Sequence, residues 1–351
     1  MEEKIHKRRE RYKGTHPRKF NEKYKELNPE KYADTIEKII QKGNTPAGMH
    51  ISIMVPEIIE FLQIKPGQKG LDGTLGYGGH TSHMLRELQG DGHMYGLDID
   101  PIEIVKTRER LKNLGFDEDI LTILHQNFET IDQVAQKYGP FDFILADLGV
   151  SSMQIDNPER GFTFKRDGML DLRLNPEEGV SASERLLTIT QPELEGMLVE
   201  NSDEPFAYEI SKAVVRSIKK GTPVDTTQKL REIISDVVSN ALRNEPAKAR
   251  AEAVKKSCQR TFQALRIDVN NEYEVLYSFL EKLPDALAPG GRVAILTFHS
   301  GEDRLVKKSF KELSRAGIYS EVARDVVRPS DEECKQNARA RSTKMRWAIK
   351  A

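Results

Sequence analysis

The sequence predicts an α/β protein: a Rossmann-like parallel sheet flanked by helices, with a helical segment inserted before its fifth strand. Three observations carry this. Apolar runs alternate with stretches of helical spacing from Met49 to Gly149, the pattern of βαβ units. A glycine cluster, GLDGTLGYGGH at 70–80, follows the first apolar run and precedes a helix. Finally, residues 150–289 separate the fourth strand from the fifth, far more chain than a crossover needs.

MVPEIIEFLQI (54–64) predicts a short helix, and KPGQKGLDGT (65–74) a turn into the first strand. HTSHMLRELQ follows the glycines with helical spacing. HMYGLDIDP is a second strand ending in acids, and IEIVKTRERLKNLG a helix. ILTILHQNF is the third strand, IDQVAQKYG a helix, FDFILADLG the fourth strand and GGRVAILTFHS the fifth. Between the last two, SSMQIDNPERGFTFKRDGMLDLRLNPEEG is a polar loop, and Ser181 and Glu184 have capping-box spacing ahead of Leu186 and Leu187. KLREIISDVVSNAL places Leu230, Ile233, Ile234, Val237, Val238 and Ala241 on one helical face. We therefore expect a helical insertion over 157–262, with a long helix at 263–286 rejoining the sheet.

The net charge of −1 conceals an asymmetry. Residues 1–25 carry ten Lys/Arg against four Asp/Glu, and residues 335–350 carry six Lys/Arg and no acid. Tyr12, Phe20, Tyr24 and Tyr32 are interleaved with the N-terminal cations. Basic ends on an acidic body form a candidate nucleic-acid footprint, with a solvated tail as the alternative. Cys258 and Cys334 are the only cysteines, too few for a disulfide framework or a cysteine-rich zinc site. No apolar run approaches the length of a membrane span, and MEEKIHKRRERYKG lacks the apolar core of a secretory signal. A soluble, cytoplasmic protein without a metal is the expectation.

The glycine loop reads Asp72-x-Thr74-x-Gly76-x-Gly78-Gly79. Glycines between a strand and a helix bring backbone N–H groups and a helix N-terminus to a ligand. A dinucleotide fingerprint needs its third glycine at position 81, which is Thr81. S-adenosylmethionine, with an amino-acid end and a ribose but no pyrophosphate, suits the spacing better. Asp98, at the end of the second strand, is the candidate acceptor for the ribose hydroxyls. Asp100 is its rival, although its place before Pro101 also suits a helix cap.

From Met49 onward the chain resembles the RsmH (MraW) family of bacterial 16S rRNA methyltransferases. The resemblance rests on DGTLGYGGHT (72–81), LDIDP (97–101), the Asn-Phe of QNFE (126–129) and DLGVSSMQID (147–156). It continues in RGFTFKRDGMLDLR (160–173), RTFQALRIDVN (260–270), PGGRVAILTFHSGEDR (289–304) and ARARSTKMR (338–346). It implies a class I S-adenosylmethionine-dependent methyltransferase that modifies the exocyclic N4 of cytosine 1402 in 16S rRNA of the small (30S) subunit. By the same resemblance Gly78, Gly79 and His80 hold the methionine end of the cofactor, Asp98 the ribose and Phe128 the adenine, with Asp147 and Gln154 completing the contacts. Gly301 stands where the family usually has Leu, Ala338 replaces a usual Pro, and the first 48 residues extend beyond the common start.

For catalysis, Asp147 and His299 end the fourth and fifth strands, where ligands of open α/β sheets bind. Asp147 is the candidate acceptor for the amine and His299 the candidate proton relay, a structural histidine being the alternative. No cysteine stands at a strand end, which disfavours methylation of a pyrimidine carbon. Phe162 and Phe164, with Asp171 and Arg173 nearby, form a loop suited to stacking an unpaired base and holding its edge. A salt-bridged hairpin that fastens the insertion to the sheet fits the same residues. The competing functions are amino-methylation of another RNA or DNA cytosine, and a non-catalytic ribosome assembly factor; a homodimer is compatible with either.

Overall fold

A computed structural model of the protein describes residues 52–351. The basic N-terminal extension, 1–48, lies outside the described residues. Helix α1 (Val55–Leu62) leads into β1 (Lys69–Asp72), α2 (Gly79–Glu87), β2 (His93–Asp98), α3 (Pro101–Asn113) and β3 (Leu121–His125). Next come α4 (Ile131–Tyr138), β4 (Phe141–Asp147) and the short α5 (Ser152–Asp156). Five helices then follow without a strand: α6 (Ala182–Thr188), α7 (Gln191–Ser202), α8 (Ala207–Lys219), α9 (Thr227–Ala241) and α10 (Ala247–Asn270). Helix α11 (Glu272–Ala286) returns the chain to β5 (Leu287–Thr297). The chain closes with α12 (Ser300–Arg315), β6 (Tyr319–Val322), α13 (Asp331–Gln336) and β7 (Lys344–Lys350).

The seven strands lie in the order β3-β2-β1-β4-β5-β7-β6. Strands β1 to β5 are parallel, and β7 runs antiparallel to both β5 and β6. This is the Rossmann-like arrangement that the sequence predicts, with an added antiparallel edge. The order reverses between β1 and β4, so the crevice at their carboxyl ends is where a ligand binds. Burial on both faces explains the unbroken apolar run of β4. Ile144 and Ala146 face the cluster with α4, α11 and α12, while Phe143 and Leu145 face the one with α1, α2 and α3.

Residues Leu170 to Leu265 form a separate apolar cluster built from α6 to α10. Capping boxes at Ser181 and Thr190 start α6 and α7, each side-chain oxygen accepting the N–H three residues on. The expected long helix over 263–286 is in fact two. Helix α10 runs through the anticipated boundary at 262 and stops at Asn271, whose left-handed backbone (φ 48°) turns the chain into α11. Asn tolerates that conformation better than most residues. Phe262 and Leu265 of α10 belong to the insertion's core, whereas Leu276, Phe279 and Leu283 of α11 pack on the sheet.

The C-terminal basic run also needs correction as a candidate nucleic-acid tail. Its last seven residues are β7, an inner strand, and its cations are partly structural. Arg346 is 6% exposed, and its Nε donates to Asp303 Oδ1 at 2.6 Å. Lys344 Nζ donates to Asp303 Oδ2 at 2.9 Å, and Lys350 Nζ to the Pro284 carbonyl at 2.8 Å. Trp347 stacks on Phe61 of α1 with centroids 4.7 Å apart. Among the described residues, no helix is long and apolar enough to cross a membrane.

Arg346→Ala should cost about 3–5 kcal/mol of unfolding free energy, because it removes one side of a buried pair and leaves Asp303 with Lys344 alone. Urea denaturation of the two proteins checks this; a loss below about 1 kcal/mol would mean that the arginine is a surface charge after all.

Candidate active site

The glycine loop spans the gap between β1 and α2, and its first anchor is Asp72. This buried carboxylate accepts the Thr81 hydroxyl at 2.6 Å and the Thr74 N–H at 3.0 Å. Thr81, the residue that breaks a dinucleotide fingerprint, therefore ties the first turn of α2 to the end of β1. Gly78 is left-handed (φ 76°), and a Cβ there would fall 2.9 Å from both Leu111 Cδ1 and Thr107 Cγ2. Glycine lets α3 approach the loop, and the Thr107 hydroxyl donates to the Gly76 carbonyl at 2.6 Å. Gly79 opens α2, half-buried.

Asp98 and Asp100 divide their tasks. Asp98 ends β2 and accepts the Gly76 N–H at 2.6 Å on Oδ2 and the Asp100 N–H at 2.8 Å on Oδ1. Each oxygen thus keeps a lone pair for a further donor. Burial lifts this carboxyl to about 7 despite those two N–H groups, and the charges of Asp100 and Glu103 add to the rise. Asp100 is fully buried and its oxygens are occupied. Oδ1 caps α3 through the Ile102 and Glu103 N–H groups; Oδ2 accepts Gln154 Nε2 at 2.9 Å and Arg160 Nη1 at 2.7 Å.

That network also engages Gln154. Its amide donates to Asp100, and its carbonyl accepts the Ser151 N–H at 2.9 Å as half of a capping box on α5. The side chain thus braces the loop after β4, and its second amide hydrogen stays available to a ligand. Phe128 sits on the turn after β3, edge-on to Phe279 at 5.0 Å, with its Cβ beside Gly73. It borders the loop while packing on the core.

Asp147 ends β4. Its N–H donates to Thr74 Oγ1 at 2.6 Å, and its Oδ2 lies 3.5 Å from His80 Nδ1. Oδ1 is buried and has no hydrogen-bond partner among the described residues. Burial raises this carboxyl to about 6; His80 opposes the rise, and Asp72 and Glu302 reinforce it. His80 Nε2 is 2.9 Å from the Ile53 carbonyl, which only accepts, so Nε2 carries hydrogen and Nδ1 faces Asp147. The imidazole is therefore clamped between a backbone carbonyl and Asp147.

Other expectations fare differently. His299 is the N-cap of α12: its Nδ1 accepts the Glu302 N–H at 3.4 Å and its Nε2 lies 3.0 Å from Glu302 Oε1. Burial pushes the Glu302 carboxyl up, but His299, Arg266 and the Phe298 N–H outweigh it and hold the group below the usual range. Nδ1 thus caps α12, whereas Nε2 is buried and makes no hydrogen bond among the described residues, and no described contact links the ring to Asp147. Asp171 and Arg173 neutralise each other through two hydrogen bonds of 2.7 and 2.9 Å, and Arg173 also donates to the Gly179 carbonyl at 3.1 Å. Phe162 and Phe164 pack against the insertion's core, Phe164 edge-on to Phe262 at 5.5 Å. Arg160 completes the fastening with donations to the Arg173 and Leu174 carbonyls. The hairpin reading accounts for these contacts, with Phe162 and Phe164 half-buried. Tyr273 escaped the sequence reading, and the one available signal was glycine at 301 where Leu is usual.

Asp72, Asp98 and Asp147 all have carboxyls raised by burial. Between the ordinary carboxylate value and about 7 the folded chain therefore binds more protons than the unfolded one. Stability from these groups is full below the unfolded value and is lost as pH rises through the folded values. The unfolding free energy should fall from pH 4 to pH 7, and Asp98→Asn should make that fall shallower, as read by urea titrations across the range. An identical slope in the variant would show that Asp98 is already ionised throughout.

Comparison with known proteins gives a consistent result. The model of the MraW methylase family matches residues 47–351. A Lachnoclostridium phytofermentans protein named ribosomal RNA small subunit methyltransferase H 1 is 74% identical over 350 residues, covering 100% of this chain and 94% of its own. An Agathobacter rectalis protein of the same name is 66% identical, covering 100% of this chain and 99% of its own. A Thioalkalivibrio sulfidiphilus ribosomal RNA small subunit methyltransferase H is 36% identical, covering 86% of this chain and 98% of its own.

Proposed function

The chain belongs to the MraW methylase family, and from that premise we propose that it methylates the exocyclic N4 of a cytosine, cytosine 1402, in 16S rRNA of the small ribosomal subunit. The cofactor is S-adenosylmethionine, which supplies an electrophilic methyl group on a positively charged sulfonium. The carrying observation is the buried Oδ1 of Asp147, without a partner among the described residues, at the carboxyl end of the strand beside β1. An acceptor stripped of water in this way is unfavourable until a donor or a cation reaches it.

The residues present fit the cofactor. Asp98 keeps two lone pairs for vicinal hydroxyls, and the loop from Gly76 to Gly79 offers a close backbone approach beside them. Three buried carboxyls surround the loop; burial resists their ionisation, and a sulfonium or an ammonium beside them draws them into the charged form and is held by it.

N4-methylation of an exocyclic amine releases one proton from the nitrogen. Asp147 Oδ1 accepts the amine N–H, aligns the lone pair and receives that proton. His80 stands behind the carboxylate, its Nδ1 3.5 Å from Oδ2, and holds it when the ring carries a hydrogen on both nitrogens. Carbon methylation would need a thiolate, but Cys258 is 1% exposed inside the insertion's core and burial pushes its thiol to about 11. The basic extension supplies phosphate contacts on the subunit.

Mass mapping of 16S rRNA from a strain lacking the protein tests the target; an unchanged N4-methyl level at that cytosine overturns it. Asp147→Asn should lower kcat by roughly 10²–10⁴-fold. Wild-type activity should rise with pH through about 6, since protonated Asp147 cannot accept. Asp98→Ala should weaken S-adenosylmethionine binding by on the order of 1.5–3 kcal/mol per lost bond, measured by calorimetry.

A further inference from the structure

Gly301 is the second residue of α12, and its missing side chain has a tenant. A Cβ there would lie 2.0 Å from Tyr273 Oη and 2.8 Å from Tyr273 Cζ. Tyr273, near the start of α11, fills that place; its hydroxyl donates to the Asn201 carbonyl at 3.3 Å and its ring lies 6.0 Å from that of His299. Glycine at 301 and tyrosine at 273 are thus one steric unit.

The tyrosine forms a wall of a cavity of about 570 Å³ between the end of α7, helices α10 and α11, and the first turn of α12. His299 stands at its edge, two residues past β5, whose Leu296 is level with Asp147. The cavity therefore borders the same end of the sheet as the candidate acceptor. Tyr277, 59% exposed, presents its ring there, and Arg260 and Arg304 reach it from opposite sides, on α10 and α12. Neither arginine has an ion-pair partner among the described residues. Glu200, Asp203 and Glu274 share the lining. Such a mixed lining opposes a bare anion such as free phosphate. It suits a ligand that carries an anion, a flat ring and donor groups together, which describes a nucleotide.

We propose that this cavity seats the RNA nucleotide next to the methylated one, with Arg260 and Arg304 on its phosphate and Tyr277 against its base. The proposal rests on the rRNA reading above and extends it to a second subsite. The target base goes to Asp147, and its neighbour is held beside α12, which fixes the strand's register across the strand ends.

The test uses the full chain and purified small subunits, with subunit binding and methylation measured separately. Arg260→Gln with Arg304→Gln, and Tyr277→Ala, change partly or fully exposed side chains that brace no core. Tyr277→Ala should raise the Kd and KM for subunits roughly 5-fold or more. The double arginine variant should raise both and make the log–log salt dependence shallower by about one. S-adenosylmethionine affinity and kcat at saturation should stay unchanged. Ultraviolet crosslinks of Tyr277 should map within one nucleotide of the methylated cytosine. Variants that bind and methylate like wild type, with an equal salt slope, overturn the subsite and leave the methylation reading standing. A wild-type chain that binds subunits without methylating them overturns that reading instead, and the Kd values and crosslinks alone then decide the subsite. Failure of the wild type to bind subunits overturns both.

Discussion

Four donors converge on the two oxygens of Asp100, a carboxylate with no exposed surface. Two are the N–H groups that open α3, one is the amide of Gln154, and one is the guanidinium of Arg160. The first pair fixes the helix that packs on the glycine loop. The second pair fixes the loop after β4 and the base of the insertion. A buried carboxylate is costly unless it is paired and fully hydrogen-bonded, so this one specifies all three segments together. Asp98, two residues away, can then remain only partly satisfied.

That contrast separates structure from function within one acidic motif. Asp98 and Asp147 are held where burial raises the carboxyl and nearby N–H groups leave capacity unused. Such groups weaken the empty fold and strengthen the bound state when donors or a cation reach them, because desolvated charges interact more strongly. Thr74 and His80 supply the stiffness: one hydroxyl receives the Asp147 N–H, and one imidazole lies behind its carboxylate.

The insertion communicates with the sheet through few but specific contacts. Arg160 reaches back to Asp100; the Tyr273 hydroxyl of α11 donates to the Asn201 carbonyl of α7 at 3.3 Å; Arg266 of α10 donates to Glu272 of α11 at 2.7 and 2.8 Å. Because α10 ends at Asn271 and α11 begins one residue later, the insertion's core and the sheet's core meet at a single bend. The cavity lies beside that bend, where side chains from both parts face one opening.

The strands, the glycine loop, the capping box at Ser181 and the helical character of the insertion were legible in the sequence. Each is written in local spacing, which backbone sterics and burial convert directly into structure. Asp98 as the less committed acid was also readable, since Asp100 precedes Pro101 at a helix start. The remainder depended on partners far apart in the chain. Gln154 became a brace because Asp100, 54 residues earlier, needed a donor. The terminal KMRWAIK became an inner strand because β5 had an open edge and Asp303 awaited Arg346. His299 became a cap through Nδ1, and Asp171 and Arg173 became a closed pair, because short-range geometry let each meet a neighbour. Composition and spacing show that a charged or aromatic side chain is present; only the folded neighbourhood decides whether its hydrogen-bonding capacity is already used.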